Sequence, residues 1–575
     1  MMTRRRLAAI AAGLVTAIGL AGCSGLPTDG TFQAGLPADE PAQDARWQFS
    51  AEGPEEGAEP VAIVLGFLDA GESPANDWEI AREFLTDEAA AEWDPDARVT
   101  VENIEGRNIG EFNGEGDEGE VSVAVSPAAT VDGSGRYQRA NETVRALDFE
   151  LARVDGEWRI ASAPDGVVIQ NETFSSIFRP QSLVFAGPGD RLVPDLRWFP
   201  DGSGLVKDVV TELVEGGPAP WLELAVTTAF DDIELRGVSA NATDQVVTVS
   251  LSSAAEDVGA ARRARMQTQL EETLAPLGFE EVRMMVGDSR IVAPEDTVTS
   301  VEPDARALVM TEDDFGYLSG GDITPIEGLS AIMRARFTSE SDAGDPATSI
   351  VVAPDLKSAV VQTEAGALWR VDAEAEEFRA LSYEDGWLAP SLDAFGYAWS
   401  ADPGDPDTLL AWGEGDEPLE LVGAAGLTSV SALQLSRDGA RIAIAGRQDD
   451  QAVLLVAGVR RDADGAPIGL SGVQDVSDLP SPAESVAWVS DTVVAARIAD
   501  SGTTLIHEQE VGGTAARLTA SFASDWLTYG NPQSRERLLS SDGSIYVRSS
   551  TTWEQAGSGV EVLATQMGAP PTTGR

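Results

Sequence analysis

The chain has 575 residues, 43% of them hydrophobic, and sets 96 acidic side chains against 39 basic ones, for a net charge of −57 and an isoelectric point near 4.1. At roughly 100–200 residues per domain this length predicts three or four domains with ample apolar material for packed cores, and the shortage of clustered Lys and Arg excludes nucleic acid as a partner. One histidine, His507, and one cysteine, Cys23, leave no means of building a zinc site from several His or Cys, and a Ser-His-Asp triad would have to use His507 itself.

The first element in chain order is an export signal. Arg4, Arg5 and Arg6 precede an uncharged run from Leu7 to Leu20, then come Ala21, Gly22 and Cys23. A basic start, a short apolar run and small residues at the end have the layout of a bacterial signal peptide over residues 1–22, and the run falls short of the about 20 residues a membrane span needs. Leu20-Ala21-Gly22-Cys23 resembles a lipobox, the motif of bacterial lipoproteins. That resemblance implies that Cys23 is acylated and becomes the first residue after cleavage; the competing reading is an ordinary cleaved signal with a cysteine nearby by chance. Each buried CH₂ of an acyl chain contributes about 0.8 kcal/mol, so two or three chains would hold the protein on the outer face of the cytoplasmic membrane. No second membrane-spanning run is present. Loss of the signal removes three arginines and no acids, which carries the charge from −57 to −60. Such a surface is repelled by anionic lipid and attracts cationic partners, although an acid-rich secreted surface needs no partner to explain it.

Residues 23–59 are rich in Pro, Gly, Asp and Glu with few apolar residues, and read as a disordered tether. From Pro60 the pattern turns helical, with Val61, Val64, Leu65 and Leu68 in register. Asn76 and Glu79 have the spacing of a capping box for a second helix, and a third helical piece ends near Trp93. Strand-like runs follow at 98–103, 120–125, 143–154 and 157–163, with Asp155-Gly156 at a hairpin turn. Helices first and an antiparallel sheet after them is an α+β order over residues 60–172, and it resembles the cone-shaped NTF2-like folds.

The stretch 175–296 mixes elements as a compact α/β unit: a short helix at 207–215 ended by Gly216-Gly217-Pro218, a strand at 246–251, a long helix, and a strand at 281–287. In the long helix Met266, Leu270, Thr273, Leu274 and Leu277 share one face. Arg262, Arg263 and Arg265 crowd its first half, either as an anion site or, the plainer reading, as a solvated helix face. The combination LRWFP (196–200), ELVEGGPAPWLELAVTTAF (212–230) and VVTVSLSS followed by MQTQLEETLAPLGFEEVRMMVG (266–287) resembles a GerMN domain. With FSAEGPEEGAEPVAIVLGFLDA (49–70) and the lipobox before it, the chain resembles the LpqB lipoproteins of actinobacteria over nearly its whole length.

From residue 300 to 575 the strand-like pieces repeat. Asp355, Asp393, Asp438, Asp491 and Asp542 mark turns at intervals of roughly 40–55 residues, the period of a four-stranded propeller blade. Residues 306–326 supply another partial blade, so the count predicts a β-propeller of about six blades. Those aspartates read as turn formers in preference to calcium ligands, and Asp462-Ala463-Asp464-Gly465 is too short a match to a calcium loop to count.

The expected architecture is therefore multidomain, α+β and α/β units followed by an all-β propeller. Catalytic motifs are missing: no nucleophile elbow, Walker loop, dinucleotide fingerprint or H-E-x-x-H occurs. The reading assigns no catalytic, cofactor or metal residues, and the only site residues are the lipobox Leu20, Ala21, Gly22 and Cys23. The LpqB resemblance implies an accessory lipoprotein that contacts the extracytoplasmic domain of the Mtr-system sensor histidine kinase and affects envelope homeostasis and division. Two alternatives stand beside it, a cell-wall protein that binds peptidoglycan or another glycan, and a hydrolase using paired carboxylates.

Overall fold

The computed structural model describes residues 51–568, apart from 141–142, 297, 299–301, 340, 342–344, 416, 425, 531–535 and 551. The export signal, the lipobox through Cys23 and the tether as far as Ser50 lie outside the described residues. From Ala51 onward the chain is one compact unit, and its apolar side chains gather in three successive regions.

In the first region helix Pro60–Ala70 starts on a proline, which costs nothing at a position whose N–H has no helical partner. It buries Ile63, Val64, Phe67 and Leu68; Val64 and Leu68 belong to the predicted register, whereas Val61 and Leu65 are only half-buried, because the helix is turned so that Ile63 and Phe67 face the core. Helix Asp87–Glu92 is capped by Thr86, whose hydroxyl accepts from Ala89 N. Two antiparallel-rich sheets complete the region, one of strands 137–139, 127–132, 98–102 and 167–170, the other built on 118–125, 145–154 and 157–162. Strand Arg145–Val154 alternates Leu147, Phe149 and Leu151 inward with exposed neighbours. Its hairpin turns on Asp155 (φ 52°) and Gly156 (φ 93°), the two positive φ values that an Asp-Gly pair supplies. The capping box at Asn76 does not form. Residues 76–78 are left-handed, and the Asn76 amide bonds the Glu79 carboxylate instead of the backbone. Buried Trp78, whose indole N–H donates to Gly71 O at 3.0 Å, is the packing contact that sets this turn.

Strands Phe178–Ala186 and Leu192–Pro200 form a long hairpin shared between two cores. Trp198 packs into the first with Phe174 and Phe178, while its neighbour Phe199 joins Leu183, Phe185 and Val193 in the second. Helix Ala260–Leu274 buries Met266, Leu270, Thr273 and Leu274 in that second core. It is pinned by Gln269, whose amide accepts from Ala229 N at 2.7 Å and donates to Val184 O at 2.8 Å. A sheet of strands 235–241, 246–251, 281–286 and 289–290 lies behind it, with a parallel pair at its centre.

The third region is a propeller of six blades. Each is a four-stranded antiparallel sheet: blade 2 begins at Ala347, blade 3 at Ser391, blade 4 at Ser429, blade 5 at Ser485 and blade 6 at Ser524. Blade 1 takes its innermost strand from the far end of the chain, Val560–Gln566, which pairs antiparallel with Ala307–Thr311. The innermost strands touch in succession round the ring, from blade to blade and back to 560–566. Borrowing the last strand closes the ring with hydrogen bonds and hides the edge of the first blade's strand. Four of the five turn aspartates sit between the first and second strands of their blades; Asp542 falls one hairpin later, between Glu536–Ser540 and Ile545–Ser549.

Candidate functional site

The residues singled out by type are spent on structure. Asp393 Oδ1 accepts from Phe395 N and Tyr397 N while Oδ2 takes Trp399 Nε1 and Arg461. Asp438 binds Ala440 N, Ser436 and Arg441, and Asp355, Asp462 and Asp542 each accept backbone N–H groups two residues on. Among the described residues no three His, Cys, Asp or Glu converge as metal ligands. The Arg262 guanidinium donates to Ala229 O and Asp231 O, Arg263 to Val258 O, and Arg265 to Asp190 and Asp296, so the arginine cluster holds its own helix in place.

His507 lies in the third strand of blade 5, paired on both sides and 2% exposed. Its Nε2 meets Ser477 Oγ of blade 4 at 2.8 Å, and Nδ1 is buried without a partner. Burial, helped by Arg517, lowers its pKa, which keeps the ring neutral. Among the described residues its one side-chain hydrogen bond is to Ser477, which ties blade 5 to blade 4.

What the fold does assemble is a continuous joint between the three regions. Arg197, fully buried, pairs with Asp195 at 2.6 Å and donates to Ser134 O of the first region and Gly217 O of the second. Burial alone would lower its pKa, but Asp195 more than compensates and raises it. The Trp198 indole donates to Gly512 O of blade 5, and Arg139 reaches Asp475 (2.9 Å) and Asp478 of blade 4. Trp221 lies against Gly458 and Gly472 of blade 4, where an added Cβ would stand 2.7 Å from Trp221 O and 2.9 Å from its Cα. Only glycine allows that approach. Phe395 of blade 3 is held between the guanidinium groups of Arg191 and Arg461, at 5.2 and 4.4 Å.

Beside this joint a cleft of about 220 Å³ opens between the first region and helix Leu205–Thr211, floored by Phe178 and Trp198. Asp96 and Asp132 face it from one side, Lys207, Asp208 and Glu212 from the other. Burial and then the opposing Asp96 charge raise Asp208; burial and then Asp94 raise Asp96; burial raises Glu212 against the pull of Arg197. None of these groups stood out in sequence, because the cleft joins positions more than a hundred residues apart.

Comparison with known proteins agrees with this layout. Residues 53–175 match the family description "Lipoprotein LpqB, N-terminal domain", and residues 310–563 match "Lipoprotein LpqB beta-propeller domain". The chain belongs to the LpqB lipoprotein family. Lipoprotein LpqB of Cutibacterium acnes is 26% identical over an alignment covering 98% of this chain and 99% of its own, and that of Bifidobacterium longum is 26% identical with 81% of each covered. Lipoprotein LpqB of Thermobifida fusca reaches 33% identity over 47% of this chain and 45% of its own. Among the described residues no helix is long and apolar enough to cross a membrane.

Proposed function

We propose that this LpqB-family chain is an extracytoplasmic lipoprotein, anchored through acylated Cys23, that acts by binding and without catalysis, and that its partner is the extracytoplasmic domain of the Mtr-type sensor histidine kinase. The observation that carries the reading is the joint centred on Arg197, Trp198 and Trp221. It ties the α+β region, the α/β region and the propeller into one body, while the one histidine is sealed in a blade contact. A rigid body of this kind biases a two-state sensor by binding one state more tightly than the other.

The test is crosslinking in intact cells, followed by capture with the sensor ectodomain. Wild type should be captured, and Cys23→Ala should lose membrane retention after a high-salt wash. Removal of 300–575, or of 175–295, should lose capture, since an ordinary interface buries about 800 Å² per partner and needs an intact face. His507→Ala, compared per folded molecule, should leave sensor output unchanged; loss of output at normal folded level would overturn the non-catalytic reading.

A further inference from the structure

The cleft between the first region and helix Leu205–Thr211 carries charge that folding leaves unmatched. Two of its four carboxylates are engaged. Asp132 accepts from Ser134 N and Arg136 N, each at 3.0 Å, and pairs with Arg136 at 3.8 Å, while Glu212 lies 3.9 Å from buried Arg197. The other two, Asp96 and Asp208, accept no hydrogen bond and make no ion pair with any described residue. Lys207, the only basic side chain on the described lining, is exposed and pairs with neither of them. Asp96 and Asp208 stand on opposite walls, and both carboxyls are raised, Asp208 by burial and then by Asp96, Asp96 by burial and then by Asp94. Desolvation and like charge both favour the proton, and a cation between the walls would relieve both.

An unpaired carboxylate facing bulk water is ordinary in a chain with 96 acids to 39 bases. These two instead face each other across a cleft of about 220 Å³ whose floor is apolar, built from Val99, Val131, Phe178 and Trp198. At about 30 Å³ per water, that is room for a stem of several carbon atoms together with its head. Acids at the rim over an apolar floor suit a group of the lysine or arginine kind, whose methylene stem lies on apolar surface while the charged head keeps polar partners. The same walls exclude the alternatives. An anion would meet four carboxylates, and a neutral ligand would leave Asp96 and Asp208 as they are. A bare divalent ion needs several oxygens converging on one point, and among the described residues no three acids converge.

We propose that this cleft binds an alkyl-linked cation, the ammonium or guanidinium of a basic side chain or of a free aliphatic amine, with its head between Asp96 and Asp208 and its stem over Phe178 and Trp198. The site stands whether or not the protein's partner is the sensor kinase, because it is defined by the lining of the cleft alone.

The test is calorimetric titration of the detergent-solubilised full chain with a short acetylated, amidated peptide carrying one lysine between glycines. The same peptide with norleucine, which keeps the stem and lacks the charge, is the parallel arm; the diamine cadaverine and magnesium ions are two more. The lysine peptide should bind about tenfold more tightly than the norleucine peptide, and the double variant Asp96→Asn, Asp208→Asn should weaken it about tenfold. Neither aspartate has a partner to lose, so the double variant should melt no lower than the wild type. Lys207→Gln should tighten binding. Glu115→Gln with Glu118→Gln removes the same two charges from an exposed hairpin outside the cleft and should leave binding unchanged, which separates the site from attraction to an acidic surface. Tighter binding of the peptide than of cadaverine assigns the cation to a polypeptide, and the reverse assigns it to a free amine. Equal binding of the two peptides, no binding of either amine at millimolar concentration, tighter binding of magnesium, an unaffected double variant, or an equal loss in the Glu115 and Glu118 pair would each overturn the proposal.

Discussion

Arg197 and Arg336 are two arginines of one acid-rich chain in opposite circumstances. Arg197 is completely enclosed, with a carboxylate at 2.6 Å and two carbonyl oxygens, and lies where the first two regions meet. Arg336 is spread over two aromatic rings at the rim of the propeller with no acceptor. Burying a charge is tolerable only with a partner in good geometry, so the paired arginine belongs to folding. The unpaired one is held by stacking on Trp369 and Phe378. In a protein this acidic, an arginine without a carboxylate says more than one with two.

That contrast can be broken or sharpened by substitution. The largest effect should come from Asp195→Ala, which strands the Arg197 charge and leaves Ala219 N without its acceptor. We expect a loss of about 3–5 kcal/mol in chemical denaturation, and a loss below 1 kcal/mol would mean that the joint tolerates an unpaired cation. Gly458→Val should cost about 1–3 kcal/mol, because its Cβ collides with Trp221 O and the propeller cannot stay seated without repacking.

A third expectation concerns pH. Glu508 of blade 5 accepts from Tyr529 at 2.9 Å and lies against Glu536 and Arg548 of blade 6. Its carboxyl is pushed up to about 7, first by burial and then by its contact with Glu536. Below the ordinary value of 4.5 both folded and unfolded chains hold this proton; between there and 7 only the folded chain does, so the stability it contributes is lost as pH rises. Melting temperature measured from pH 4.5 to 8 should fall through that window, and Glu508→Gln should flatten the fall. The smallest effects belong to Arg139→Ala and Arg336→Gln, each under about 1 kcal/mol by thermal melting, the first because its ion pairs are part-exposed and the second because it has none. A larger loss from Arg336→Gln would place it with Arg197 as a folding residue.

Much of the fold was legible in the chain. Val64 and Leu68 announced the first helix, Asp155-Gly156 its hairpin, Met266 and Leu270 the buried face of the long helix, and the recurring aspartates the blades, because each signal is local and repeats with the period of its element. Asn76 misled because its spacing allowed a cap that the burial of Trp78 forbade. Asp542 misled because a blade has more than one tight turn and aspartate suits any of them. The enclosure of His507 between two paired strands was not legible, because alternation along one strand cannot tell whether neighbours pair on both sides.

The sequence by itself determined the acidity, the scarcity of His and Cys, the helix and strand periods and the recurrence of blade-like units, though not their exact number, since composition and periodicity are properties of the chain read a few residues at a time. Only the tertiary structure decided that the terminal strand 560–566 completes blade 1, that Trp221 lies on Gly458 and Gly472, and that Arg197 is sealed against Asp195 while Arg336 lies over Trp369 and Phe378. Those outcomes depend on which surfaces exclude water together. Desolvation is a property of contacts between distant segments, and no local pattern of residues encodes it.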